Sequence, residues 1–585
     1  MVIGGGLAGC TAAIKASDTD VDVTIAEKAN IMRSGQNGSG TDHIWAWVPE
    51  VHGKMGWTLE DLVEDHVQGQ AYGFINREVF CRVAAESYNR VLDLESYGIK
   101  FRYEDSPLPG KFRIVPQFHC VASSFNFDGR NIKPILSRQI SKRGIRVVNR
   151  VMMTDLLVTD GQISGALGVG TRTREIYVFK TKSVVLCTGR ASRMTRNVTG
   201  TDFNLNRPPG QTGEGKIMAL NSGCRLINLE FLGLKFLNIG PYQQSTGSPR
   251  STTWPAGAMI DAKGETIIPK TYFTNWDKYI GKKAKKIDFA ERRKKWLNAL
   301  KGWPSMMERR QRGEGPFFLD CTGGSEEEIA YVEWSWKHEG KGWLFLRHLE
   351  EEGLDLRNDK IEFTLNNAQP GGSASGGVLV DDNLKTGVEG LFVGGDEMGG
   401  IPWSSSQGAV GTGWFTGDKA ADFAKKQAGH LPADKGKLES LIEGCTKIVD
   451  NQTGIHWKEV ERAVQDVVDF YRGEVMTEQT LLRGLERVRD LKENVFLKAD
   501  NPHELMRCLE VGSIIGNAEL LLRASQERKE TRMVPFQFSR VDYPDQDDEN
   551  WFAFLGISLK DGKLDCTKIP LEKDYTSLDR TRQEG

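Results

Sequence analysis

Three observations predict an α/β fold. A short apolar run, Val2-Ile3, ends in Gly4-x-Gly6-x-x-Gly9, followed by a small-residue segment and a second apolar run ending at Glu27. Two later apolar runs, Val184-Val185-Leu186 and Leu391-Phe392-Val393, also end in small residues, Thr188-Gly189 and Gly394-Gly395-Asp396. From about residue 435 to 528, apolar residues recur at three- and four-residue spacing, the period of a helix. Together they predict a Rossmann-type sheet of buried strands, an inserted capping domain and a C-terminal helical domain.

Each part of the first motif has a task in holding a dinucleotide. Gly4 permits the tight turn, Gly6 lets backbone approach a pyrophosphate, and Gly9 lets helix and strand pack closely. Glu27, with Lys28 beside it, stands about 20 residues on, where an acid accepts from a ribose hydroxyl. The phosphates would sit on the helix N-terminus, where free N–H groups and the macrodipole favour negative charge. GxGxxG alone is a weak signal in a chain with 64 glycines. Strand, turn, helix, strand and acid in register make a strong one.

The later strand ends decide which dinucleotide. Three such ends meeting at one ligand suit FAD better than a nicotinamide. Thr188 and Gly189 would line it, Gly395 and Asp396 would meet the ribityl chain, and the helix opening at Ser404 and Ser405 would face the flavin. The remaining elements follow in order. Helical period marks the stretch 58–97, a hairpin-like pair spans 151–168, and a helix covers 406–426. The tail from Met533 is rich in Pro and Asp, then reads as a strand pair over 551–559 and 563–569. The expected division is an FAD-binding domain at 1–225 and 371–430, a capping domain at 226–370, a helical domain at 431–530 and a tail at 531–585.

Composition bounds the rest. At 585 residues the chain is too long for a single core. Hydrophobic content of 39%, charged content of 27% and a net charge of −2 give no support for a nucleic-acid binder. No apolar run reaches membrane-spanning length. The chain opens inside its first strand, so the expectation is no signal peptide and a cytoplasmic location, with a few residues missing upstream of that short strand. The basic stretch 278–301 reads as a solvated helix face anchored by Trp296 more readily than as an anion rim. The nine cysteines stand singly, with no CxxC and no iron–sulfur spacing, so electrons must leave to something outside the chain. Cys10 and Cys187, in apolar small-residue surroundings, read as packing groups.

On these residues the chain resembles the flavoprotein subunits of fumarate reductase and succinate dehydrogenase and, more closely, the alpha subunit of adenylylsulfate reductase. The resemblance covers nearly the whole length. It rests on Gly4 to Gly9 with Glu27, Arg33-Ser34-Gly35, the pair at 151–168, Thr212-Gly213-Glu214-Gly215, Gly315 to Asp320, the block from Asn383 to Asp396, and 404–414. Late in the chain it rests on Arg528 to Arg532, Arg540-Val541-Asp542-Tyr543-Pro544 and Asp548 to Trp551. It implies two-electron chemistry at the flavin N5, a small anionic substrate between cap and flavin, and an iron–sulfur partner subunit.

Departures from the fumarate reductases shape the expected function. Where they carry a flavin-attaching histidine this chain has Gly35, after Ser34, which predicts non-covalent FAD. Where they carry substrate histidines and an arginine, it reads Leu237-Asn238-Ile239-Gly240-Pro241, Gly371-Gly372-Ser373-Ala374-Ser375-Gly376-Gly377 and Pro402-Trp403-Ser404-Ser405-Ser406. A dicarboxylate needs fixed cations and its reduction needs a proton donor. An adenylylsulfate reductase-like oxidoreductase is therefore expected. Arg250 and Trp254 are its candidate substrate residues, and His119 its candidate proton donor. Trp403 is placed either against the isoalloxazine ring or in the cap interface. The alternatives are a fumarate reductase with cations from other positions, and a non-catalytic flavin electron-transfer subunit.

Overall fold

A computed structural model describes residues 1–106, 108–114, 123–196, 202–203, 205, 208–232, 237–239, 242–243, 256–270, 306, 309–310, 312–338, 342–365, 376–402, 405–473, 476–533 and 535–571. At its centre is a five-stranded sheet ordered Leu391–Val393, Val184–Leu186, Val2–Ile3, Thr24–Glu27, Arg146–Asn149. All four pairings are parallel. Parallel strands are buried on both faces, which is why these read as unbroken apolar runs. The expected convergence of the three glycine-bearing strands is thus present: Val2–Ile3 lies next to Val184–Leu186, which lies next to Leu391–Val393. Arg146–Asn149 adds an edge strand whose polar ends hid it from the apolar pattern.

Two helices cover one region of this sheet. Leu7–Ala16 follows the first strand, and Ser405–Lys426 follows the last. They touch backbone to backbone: a Cβ on Gly413 would lie 2.3 Å from the Ala8 carbonyl oxygen, and one on Gly417 would lie 2.2 Å from that of Ala12. Only glycine allows that approach. The stretch 58–97 is helical as its period indicates, and forms three helices, Leu59–Gly69, Arg77–Ala85 and Ser87–Ser96. Thr58 opens the first through a capping box with Asp61, and Asn76 caps the second on Val79 N–H. In the turn between them Tyr72 and Gly73 take positive φ, of 50° and 79°.

The segment 226–370 contributes an antiparallel sheet. Its strand order is Tyr242–Gln243, Leu237–Ile239, Lys360–Leu365, Phe317–Asp320, Ala258–Ile260, Thr266–Ile268. Helices Glu326–His338 and Gly342–Glu352 pack on it around Trp336, Phe345, Phe317 and Phe363. The helical stretch resolves into Lys435–Asp450, Trp457–Tyr471, Glu478–Asn494 and Pro502–Glu527. Their shared core includes Val464, Leu481, Leu485, Val488, Ile514 and Leu521.

The terminal hairpin starts later than its sequence indicates, because Asp548–Trp551 forms a helical turn capped by Asp547. The strands are Ala553–Lys560 and Lys563–Pro570. Ala553–Lys560 pairs with Leu226–Ile227, which pairs in turn with Gly377–Val378. Residues 553–570 are thereby joined in one sheet to residues 226–227 and 377–378.

Candidate functional site

The site begins at the first turn. Gly4 has φ +94°, and a Cβ there would lie 2.5 Å from the Cys187 carbonyl oxygen on the neighbouring strand. A Cβ on Gly9 would lie 1.8 Å from the Gly4 carbonyl oxygen. Both glycines are therefore forced by close packing. The buried Glu27 carboxylate closes the strand end, accepting from Gly5 N–H at 2.6 Å and Ala29 N–H at 2.7 Å. It keeps lone pairs for a further donor such as a ribose hydroxyl.

The second loop presses on this turn. Ser34 Oγ donates to the Gly5 carbonyl at 3.1 Å. Gly35 has φ +82°, and a Cβ on it would lie 2.7 Å from Gly6 Cα. Nothing larger than hydrogen fits between the two backbones. Asn37 Nδ2 then donates to Ser406 Oγ at 3.2 Å, which ties the loop to the first turn of the long helix.

The late strand ends complete the ring. Gly189 has φ +87° and its carbonyl accepts from Lys216 Nζ at 2.9 Å. Thr188 Oγ donates to Glu397, a fully buried carboxylate paired with Lys216 at 3.4 Å. Burial raises the Glu397 pKa against the opposing pull of Lys216 and Thr188. Gly395, at φ +68°, donates its N–H to Thr412 Oγ at 2.8 Å, and its Cβ position lies 2.9 Å from Ala8 Cβ. Asp396 receives Arg190 Nε at 2.6 Å. Ser405 opens the long helix with φ +49°.

Lys28 sits on the ring's rim, where its ammonium binds Glu214 and, at 2.9 Å, Glu510. Burial works to lower its pKa, but the two carboxylates prevail and raise it. Among the other expected site residues, His119, Arg250, Trp254, Trp403 and Ser404 lie outside the described residues, as does the basic stretch 278–301. Gly240, Pro241 and 371–375 lie outside them too.

The structure also brings in groups that the sequence motifs do not include. The buried Lys133 reaches the Gly5 carbonyl and, at 3.1 Å, Cys10 Sγ. Asp42, fully buried, takes His43 Nδ1 on one oxygen and Ser335 Oγ, from helix Glu326–His338, on the other. An imidazole oriented this way can relay a proton through its other nitrogen. Gln407, in the first turn of the long helix, is fully buried, and neither amide atom has a hydrogen-bond partner among the described residues. Adjacency of Asp42 and His43 was the one available sequence signal. Lys133 and Gln407 carried none.

These residues fit FAD. The glycine turn leaves backbone room for a pyrophosphate, Glu27 can take a ribose hydroxyl, and the Gln407 amide offers both a donor and an acceptor to a polar ring. Comparison with known proteins agrees. The FAD binding domain family matches residues 1–411, and a family described as fumarate reductase flavoprotein C-term matches residues 458–578. One subunit of the CoM/CoB fumarate reductase of Methanothermobacter marburgensis is 24% identical over 570 residues, 93% of this chain and 94% of that protein. Adenylylsulfate reductase from Archaeoglobus fulgidus superposes with a TM-score of 0.83 at 23% identity, covering 98% of this chain and 95% of that one. For the E. coli quinol fumarate reductase chain the TM-score is 0.76 at 18% identity, covering 98% and 96%. At these identities the structural likenesses establish the fold.

Proposed function

The chain belongs to the FAD binding domain family that includes the flavoproteins of fumarate reductase, succinate dehydrogenase and adenylylsulfate reductase, and we propose that this FAD-dependent oxidoreductase is an adenylylsulfate reductase-like flavoprotein subunit. One observation carries the proposal. At the positions where fumarate reductases hold a dicarboxylate and tether their flavin, this chain has Gly35 and three stretches without histidine or arginine. Gly35 also packs so closely on Gly6 that an imidazole there would collide with the cofactor turn, which supports non-covalent FAD.

When bound, FAD supplies two-electron chemistry at its N5. The chain's own residues do the rest. The N-terminus of helix Ser405–Lys426 would stabilise negative charge developing on the flavin. Arg250 and Trp254 would hold an anionic substrate beneath the capping segment, and His119 would supply a proton. The nine cysteines stand singly, without iron–sulfur spacing, so on this reading the electrons pass to an iron–sulfur partner. No helix among the described residues is long and apolar enough to cross a membrane.

A second reading, a fumarate reductase-like enzyme, draws support from the family match over residues 458–578 and from the methanogen relative. One experiment separates the two. The purified protein is reduced anaerobically and offered adenylylsulfate, fumarate and other enoates while flavin absorbance is followed. The first reading expects reoxidation by adenylylsulfate and bleaching of oxidised flavin by sulfite. Reoxidation by fumarate with no response to sulfite would overturn it.

A further inference from the structure

Lys133 is a buried cation with no task in the site so far. It lies in the first turn of helix Ile132–Lys142, is 1% exposed, and sits beneath the cofactor turn. Among the described residues its polar contacts are the Gly5 carbonyl and Cys10 Sγ, and no carboxylate pairs with it. An ammonium held inside a protein without a counter-charge is costly, so its position calls for a compensating anion.

The Gly5 carbonyl is the key to what it does. It accepts from Ser34 Oγ at 3.1 Å, Cys10 Sγ at 3.4 Å and Lys133 Nζ. A trans peptide carries its C=O and the following N–H on opposite sides. Fixing the Gly5 oxygen inward therefore fixes the Gly6 N–H outward, toward the groove above the helix N-terminus. That N–H has no partner among the described residues, while Gly6 C=O is already engaged by Cys10 N–H at 2.9 Å. Gly5 N–H is likewise held, by Glu27.

We propose that Lys133 is a positioning residue for the FAD pyrophosphate. Through the Gly5 carbonyl it locks the Gly5–Gly6 peptide with its N–H aimed at the phosphates, and it sets a positive charge directly under them. Ser34 shares the first task and not the second. The inference rests on FAD binding at this turn, and goes beyond it by assigning a residue remote from the glycine motif in sequence.

The test uses the purified holoprotein. FAD dissociation is followed by flavin fluorescence on dilution, and the bound pyrophosphate by phosphorus NMR, for wild type, K133M, K133Q and S34A. K133M is expected to raise the FAD dissociation constant between about ten- and a hundredfold, the loss of a charge-assisted contact. K133Q, which keeps a donor for Gly5, should recover part of that loss. The pyrophosphate resonances should move in K133M while the visible flavin spectrum stays unchanged. Should K133M fail to accumulate as folded protein, K133Q decides, with an expected loss of about three- to tenfold. Unchanged dissociation in K133M, or in K133Q where that variant decides, would overturn the proposal. So would a disturbed flavin spectrum with unmoved phosphorus resonances. A wild-type protein that neither carries nor takes up FAD would instead overturn the reading that this turn holds FAD, and is recognised before any variant is made.

Discussion

His66 stacks on Phe80 with ring centroids 4.0 Å apart and donates from Nε2 to the Pro402 carbonyl at 2.8 Å, just before helix Ser405–Lys426. Burial lowers its pKa from 6.5 to about 4, partly offset by the Pro402 carbonyl. Because the folded value lies below the unfolded one, its contribution is complete above pH 6.5 and lost as pH falls through 4. The span corresponds to about 3 kcal/mol. Urea midpoints between these pH values should therefore fall more steeply for wild type than for H66Q, which keeps an N–H donor but cannot charge; equal slopes would refute this. Gly9 carries a second prediction. Its Cβ position lies 1.8 Å from the Gly4 oxygen, so G9A should cost at least about 1–3 kcal/mol and deplete the flavin content of purified protein, read from absorbance. Gly4 and Gly9 were legible because close backbone packing writes itself as glycine at fixed spacing, and Glu27 because it ends the strand beside them. Lys133 was not, since its contact with Gly5 bridges 128 positions.

At the scale of elements, helices Leu7–Ala16 and Ser405–Lys426 are held together by Gly413 and Gly417 lying on Ala8 and Ala12. G413A and G417A should each lower stability by about 1–3 kcal/mol in urea titrations, with the midpoint shift accompanied by weaker FAD retention. Unaltered midpoints would mean the helices can separate freely. Most elements could be read from pattern alone: the central strands from their apolar runs, the C-terminal helices from their period. Others could not. Arg146–Asn149 ends in polar residues at the sheet edge, and the turn between Gly69 and Arg77 takes positive φ at Tyr72 and Gly73. The pairing of Ala553–Lys560 with Leu226–Ile227 joins residues so far apart that local pattern says nothing about it.

Across the whole molecule, a buried ion network joins the cofactor segment to the helical stretch. Glu510, in helix Pro502–Glu527, binds Lys28 at 2.9 Å and both Arg193 and Arg507 at 2.6 Å, while Arg193 also meets Glu461. Burial would raise the Glu510 pKa, but the three cations hold it at about 2. E510Q would leave those cations undercompensated, and a loss of about 3–5 kcal/mol is expected in chemical denaturation. A loss below about 1 kcal/mol would show the network to be dispensable. On the proposed reading, the substrate side of the site is formed by Arg250, Trp254 and His119. On the proposed reading, distant glycine-bearing strand ends enclose a single FAD with no covalent bond to Gly35 or its neighbours. Acid precipitation of the purified yellow protein tests this most directly. The expected result is a colourless pellet with equimolar FAD in the supernatant; flavin retained by the pellet, or a nicotinamide released in its place, would contradict it.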